Sequence, residues 1–364
     1  MKTLIIILLL CPLFTVNCSA EGIYEQAGES LGVYELENAV PKDLRPVPGE
    51  LDLSGGYDSR GAIERLVQSL LDNIKQQIST VWDSAARIMA ITVLCAVAAI
   101  LCPDKNMQGY ISLSGCACCA LIVAGGTEGV VSMATQSLTQ LSDYSKAAMP
   151  VLFTAAAASG YAVSSGAKYA AVCISIDIMM SLAQKLIVPL VYAFLALSVA
   201  DSFMTNPVVK TGARLIKWLT TTLLTGVTAL FSTYIAITGI ISASTDALAV
   251  KTAKTVISSV LPVVGGIISD ASGTVLSAAA LIKNSAGAFA LVAVCALCVG
   301  PFAVLSVKML FFRMAAAVAG MLPDGRISGL LNSVSTAMSL LLALMGSCAV
   351  MLFISIFAGM KVVL

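Results

Sequence analysis

Between Asp246 and Gly287 the chain sets ionisable and polar side chains into otherwise apolar sequence. Lys251 and Lys254 stand three residues apart, which places both cations on one face of a helix. Pro262-Val-Val-Gly265-Gly266 follows, then Ser269-Asp270, Gly273, Lys283 and Asn284. A charge at the centre of a bilayer costs roughly 2.5–3.5 kcal/mol on insertion scales, so such groups face a cavity, a pore or a partner. Asp270 shares helical spacing with Gly266, Gly273, Ser277 and Asn284, giving a small, polar face. That face either lines a conduit or meets a partner helix. Alternatively, Asp270 pairs with Lys283 or Arg313 and locks the bundle. Pro262, Gly265, Gly266, Ser269, Asp270, Gly273, Lys283 and Asn284 are therefore the candidate conduit or partner-contact residues. Lys251 and Lys254 are candidate docking residues, with snorkelling to lipid phosphate as the plain alternative. Asp177, with Lys185 two helical turns on, reads as a structural pair.

Other chemistry is excluded by residue type. The chain has no histidine, which removes Ser-His-Asp hydrolysis, His-based zinc proteolysis and His-ligated haem. It has no Gly-x-x-x-x-Gly-Lys-Ser/Thr loop to cradle a nucleotide. An intramembrane aspartyl protease needs a Gly-x-Gly-Asp turn, which neither Asp177 nor Asp270 has. Most of the 11 cysteines lie in apolar runs. There Cys295-Ala-Leu-Cys298 and Cys116-Ala-Cys-Cys119 read as small packing residues. The expectation is a protein without enzymatic activity, metal or cofactor.

The elements that must hold these residues are membrane helices. Hydrophobic residues make up 58% of the chain and charged residues 11%, against about 25% charged in soluble domains. Mean hydropathy is +0.94. The net charge of +1 suggests no nucleic-acid partner. Met1-Lys2, the apolar run Leu4–Leu10 and Cys18-Ser-Ala20 read as a signal peptide over 1–20. Residues 21–56, with Pro41, Pro46 and Pro48, read as a flexible extracytoplasmic segment. Residues 57–83 read as an amphipathic helix: Ile63, Leu66, Val67, Leu70, Leu71, Ile74, Ile78, Val81 and Trp82 recur at three-and-four spacing. It lies on the membrane surface or docks a partner.

Apolar runs follow at Ala85–Cys102, Tyr110–Gly126, Tyr169–Val188, Leu190–Ala200, Trp218–Ser242, Ala286–Gly300, Phe302–Met321 and Ala337–Gly359. Two stretches match at an offset near 112 residues: Met149-Pro150-Val151 to Pro189, and Leu261-Pro262-Val263 to Pro301. The expected fold is an all-α polytopic membrane protein. It has about eight transmembrane helices in two tandem repeat units with proline-broken or short helices. A first membrane helix spans 84–107, repeat units span 108–205 and 206–322, and a C-terminal loop and helix span 323–364. Basic residues favour the cytoplasm, which groups Lys105, Lys168, Lys210, Arg214, Lys217, Lys283 and Arg326 on the inside.

The block Lys251-Thr-Ala-Lys254, Pro262-Val-Val-Gly-Gly266, Ser269-Asp270-Ala271, Thr274-Val275 and Leu281-Ile-Lys-Asn284 to Gly287 resembles the signature of the stage III sporulation protein AE family. The chain departs from that family at Met321-Leu-Pro323-Asp324, where a Gln-Pro pair is usual. The resemblance implies a multi-pass protein of the mother-cell membrane around the forespore. It implies membership of a sporulation-specific channel or secretion-like apparatus needed for forespore development after engulfment. The implied partners are the other proteins of the same operon, including an ATPase and ring-forming proteins, and a forespore membrane channel protein. The rival readings are a self-contained gradient-coupled solute permease and a passive membrane scaffold for the channel.

Overall fold

A computed structural model describes residues 28–49, 57–102, 104–204, 207–260, 265–321 and 325–360, without the side chains of 235–278 and a few others. Every regular element among them is helical. The first is short, α1 (Val33–Asn38). Then come α2 (Ser59–Leu101), α3 (Lys105–Ala156), α4 (Ala162–Leu182) continued by α5 (Val188–Met204), α6 (Pro207–Val260), α7 (Gly265–Ala319) and α8 (Arg326–Met360). Aspartates start two of them. The Asp58 carboxylate accepts from the Gly61 N–H at 3.0 Å, and that of Asp104 from the Asn106 N–H at 3.0 Å. Each satisfies a donor that the first helical turn leaves free.

Prolines interrupt this chain less than expected. Pro150 lies inside α3 and Pro301 inside α7. In apolar surroundings a helix satisfies its own backbone, and local widening absorbs the proline ring. A π-helical turn at Ala183–Ile187 precedes Pro189, where the ring would otherwise meet the carbonyl of Lys185. The paired runs on either side of Pro189 and Pro301 each share one helical path. The eight apolar runs therefore occupy six such paths. Five stretches are long and apolar enough to cross a membrane: Asn106–Ser159, Val172–Met204, Pro207–Tyr234, Ala279–Ala319 and Arg326–Phe357. Ala86–Leu101 is a shorter apolar helix. The described residues thus form an all-helical membrane protein with five candidate spans, where about eight were expected.

Side-chain contacts set the order of the bundle. The Gln108 amide donates back to the carbonyls of Ala99 (3.1 Å) and Cys102 (3.0 Å), tying α2 to α3 as a hairpin. The π-helical turn Ala157–Tyr161 reverses the chain between α3 and α4. The Phe153 and Tyr169 rings meet at 5.8 Å, and Gln184 Nε2 donates to Thr139 Oγ1 at 3.3 Å. Leu197 of α5 packs against Gly212 of α6. Ser328 Oγ donates to the Ala316 carbonyl and Ser335 Oγ to that of Met309, both at 2.9 Å, so α7 and α8 are antiparallel and centred on residue 322. Consecutive paths therefore run in opposite directions. Helices distant in sequence pack as well, and α2 lies parallel to α7: Tyr57 meets Phe289 edge-on at 5.7 Å, and Ile78 and Trp82 face a groove shared with Leu310 and Met314.

α7 forms the centre, with Phe289, Ala290, Ala293, Val294 and Leu305 fully buried. Lys105, Lys210, Arg214 and Arg326 start helices at the end where α2–α3, α5–α6 and α7–α8 turn. Lys283 lies toward the opposite end, as does the helix start that carries Lys168, so the basic residues grouped by sequence divide between two ends.

The expected flexibility of 21–56 does not extend to residues 28–49. Val33, Leu36 and Val40 are at most 1% exposed and join the bundle core. Three apolar residues at three-and-four spacing give this segment enough to bury, and polar anchors hold it. Arg65 donates to the carbonyls of Val47 (3.2 Å) and Pro48 (3.5 Å), and the Tyr57 hydroxyl donates to that of Pro48 at 2.7 Å. Gly49 adopts φ 75° beside the Arg65 guanidinium, a left-handed conformation that suits glycine. α2 accordingly uses Arg65 to clamp the preceding segment.

Candidate functional site

The candidate residues gather at the far ends of α6 and α7. Lys251 and Lys254 occupy the last turns of α6, and Gly265, Gly266, Ser269, Asp270 and Gly273 occupy the first turns of α7. The side chains of these seven fall outside the described residues, and Pro262 lies wholly outside them, between Val260 and Gly265. What the backbone fixes is continuity. From Gly265 to Ala319 α7 is one helix, so the face inferred from spacing over Gly266, Asp270, Gly273, Ser277 and Asn284 is a single stripe.

Continuity also decides between two sequence readings. Asp270 and Lys283 lie 13 residues apart on that helix, about 20 Å along its axis, and Arg313 is about 65 Å away. Neither cation is within reach of Asp270 inside α7, so the locking-pair reading fails for this chain's own helix. Lys283 and Asn284 are described and they diverge. Lys283 is only 6% exposed, whereas its neighbour Asn284 is exposed. The polar stripe therefore faces outward where it reaches the bundle, and Lys283 points into the interior.

The position of this region follows from two contacts. A Cβ on Gly287 would overlap the side chain of Met360, the last described residue of α8. Gly359 packs on Leu152 and Phe153 of α3 (3.7 and 4.0 Å from its Cβ position). At the level of Gly287 α7 is still enclosed, with Ala279, Ile282, Lys283 and Ala286 buried. Residues 265–278, about 20 Å of helix, precede this enclosed part. α6 is 54 residues long, about 80 Å, against a hydrocarbon core of about 30 Å. Both long helices extend beyond what a bilayer can cover.

The same end of the bundle carries polar groups that sequence reasoning passed over. Tyr57 sits between Phe289 and the Pro48 carbonyl. Burial pushes its hydroxyl up to about 12, a rise to which Asp58 adds and which nearby Arg65 opposes. Tyr144 of α3 is 1% exposed and its hydroxyl has no hydrogen-bond partner. Asp177 and Lys185, expected to pair, are both exposed and form no ion pair among the described residues. Lys185 itself lies within the widened turn Ala183–Ile187. No group of three or more His, Cys, Asp or Glu able to hold a metal occurs among the described residues.

Comparison with known proteins matches residues 53–362 to the family model described as stage III sporulation protein AE. A similar relative is the stage III sporulation protein AE of Bacillus subtilis (strain 168), 26% identical over 228 residues. That match covers 62% of this chain and 57% of the relative, so the chain spans little more than half of the length of the relative it matches. No solved structure matches the chain.

Proposed function

The chain belongs to the stage III sporulation protein AE family, and from that membership we propose that it is a membrane subunit of a sporulation-specific channel or secretion-like apparatus. In this reading it works in the mother-cell membrane around the forespore and supports forespore development after engulfment. Its partners are the other proteins of the same operon, among them an ATPase and ring-forming proteins, together with a forespore membrane channel protein. It carries out no catalysis of its own. The two stretches matched at the 112-residue offset are the remnant of a duplicated unit.

The observation that carries the reading is the length of α6 and α7, 54 and 55 residues or about 80 Å each, against a hydrocarbon core of about 30 Å. A self-contained permease buries its ionisable groups near the bilayer midplane, between repeats. Here the stripe with Asp270 and the cations Lys251 and Lys254 lie near the ends of these two long helices, a placement suited to a neighbouring protein. The test is Asp270→Leu and Gly266→Leu in a sporulating cell. Each should halt sporulation after engulfment while the protein still accumulates in the membrane. Normal spore yield from both variants overturns the assignment. Substrate uptake by the purified chain alone in liposomes would overturn the subunit reading in favour of a permease.

A further inference from the structure

The second half of α3 presents a row of polar side chains to the outside of an otherwise apolar bundle. Glu128, Ser132, Gln136, Thr139, Asp143 and Lys146 recur at three-and-four spacing, and all are exposed. The opposite side of the same turns is core, with Val131, Ala134, Leu138, Leu141 and Ala148 fully buried. The row is about 27 Å long, close to the thickness of a hydrocarbon core. It lies within the candidate span Asn106–Ser159.

The α3–α4 hairpin sets a second polar edge beside it. The contacts Phe153–Tyr169 and Thr139–Gln184 are both centred between residues 161 and 162. The same register puts Lys146 level with Asp177. Ser181 and Lys185 follow on the α4 side, also exposed. Together the two edges form one seam carrying Glu128, Asp143 and Asp177 against Lys146 and Lys185. None of these five makes an ion pair among the described residues, although Lys146 and Asp177 share a level, because both point outward.

Charges displayed along a membrane-length helix are unfavourable against lipid and call for a partner carrying opposite charges at matching depths. Copies of one chain in one membrane share an orientation, so equal levels meet when they pack side by side. The α4 edge of one copy then offers Asp177 to Lys146 of the next, and Lys185 within about a turn of Asp143. Ser132, Gln136, Thr139 and Ser181 supply hydrogen bonds between helices. We propose that this seam is the contact between two copies of the chain, α3 of one against α4 of the other. The inference rests on the seam alone and is independent of the role given to α6 and α7.

The experiment uses the full chain in its membrane, with a photo-crosslinking amino acid at Gln136 in the seam or at Val350, exposed on α8. Irradiation should give an adduct of twice the chain mass from position 136 and none from position 350. Lys146→Asp and Asp177→Lys should each lower the yield about tenfold, the effect of losing one modest desolvated charge pair. The double variant K146D/D177K should restore it. An adduct only with lipid or with a different protein overturns the proposal, and so does a double variant that stays as weak as the single ones. The singles are surface changes, and membrane yield of each variant confirms that it is present to be crosslinked.

Discussion

Replacing Tyr144 by phenylalanine removes one oxygen from the interior of the bundle. The ring stays, so packing against the core is unchanged. The hydroxyl is fully enclosed and donates to nothing. Leaving a buried hydroxyl unpaired costs about 1–3 kcal/mol relative to its hydrated state. The unfolded chain recovers that hydration for tyrosine and gains nothing for phenylalanine. The variant should therefore be more stable than the parent, by about 1–2 kcal/mol if the site relaxes partly. With an unfolding entropy of about 2.1 cal/mol/K per residue over 364 residues, this is a rise in Tm of about 1–3 °C. The assay is thermal unfolding of the purified protein in one detergent, parent and variant side by side. Most core changes destabilise, so the sign is the informative result. Tyr144→Ala provides the contrast, because it leaves a cavity and should lose about 3–5 kcal/mol. A fall in Tm for Tyr144→Phe refutes the reasoning: it would mean that the hydroxyl holds a hydrogen bond that the packing of α3 does not reveal.

Other outcomes test separate links. Arg65→Ala withdraws the donors to Val47 and Pro48, and hydrogen exchange over residues 28–49 should rise at least tenfold while the bundle core stays protected. Tyr57 donates to Pro48 only when neutral, and its pKa is raised. A raised pKa means the attachment is fully present below the ordinary value of about 10 and is lost as pH climbs through about 12. Protection of the same segment, relative to the base-catalysed rate of unstructured chain, should be flat from pH 6 to 9 and fall above 10, and Tyr57→Phe should abolish that pH dependence. Ser328→Ala and Ser335→Ala each remove a bond between α7 and α8 and should lower stability by about 0.6 kcal/mol apiece in unfolding measurements. A cysteine replacing Thr211, in a background without native cysteines, should label from the cytoplasm because Lys210 and Arg214 flank it at the basic end; labelling from outside intact cells reverses the orientation.

Apolar periodicity revealed the helices and the amphipathic character of α2. It did not reveal where helices end. Each proline near an apolar run reads as a stop in a soluble chain, yet Pro150 and Pro301 lie within helices because an apolar environment leaves the backbone no other partner. That one difference turns eight runs into six paths. The packing of residues 28–49 was similarly obscured. Its three prolines and acidic residues dominate the composition, whereas the decisive residues are Val33, Leu36 and Val40 and a clamp from Arg65, which is distant in sequence. The candidate stripe on α7 was legible as a stripe, since 3.6-residue spacing is a property of the sequence itself. How far the bundle covers that helix was not, because it depends on the burial of Ile282, Lys283 and Ala286 against neighbours distant in sequence.

Helix lengths carry the argument one step further. α2, α3, α6 and α7 are 43, 52, 54 and 55 residues long, whereas about 20 residues cross a bilayer. The added length is not random in composition. In α2 the charged stretch from Arg60 to Arg87 runs beside α7, and in α3 the row from Glu128 to Lys146 lies within the candidate span Asn106–Ser159. In α6 and α7 the last and first turns carry Lys251, Lys254 and Asp270. Polar groups on every long helix suit a subunit that contacts other proteins. The seam on α3 and the ends of α6 and α7 are the two separate places proposed for such contacts, one for a copy of the chain and one for a different protein. Crosslinking from Gln136 and sporulation with Asp270→Leu can therefore fail independently.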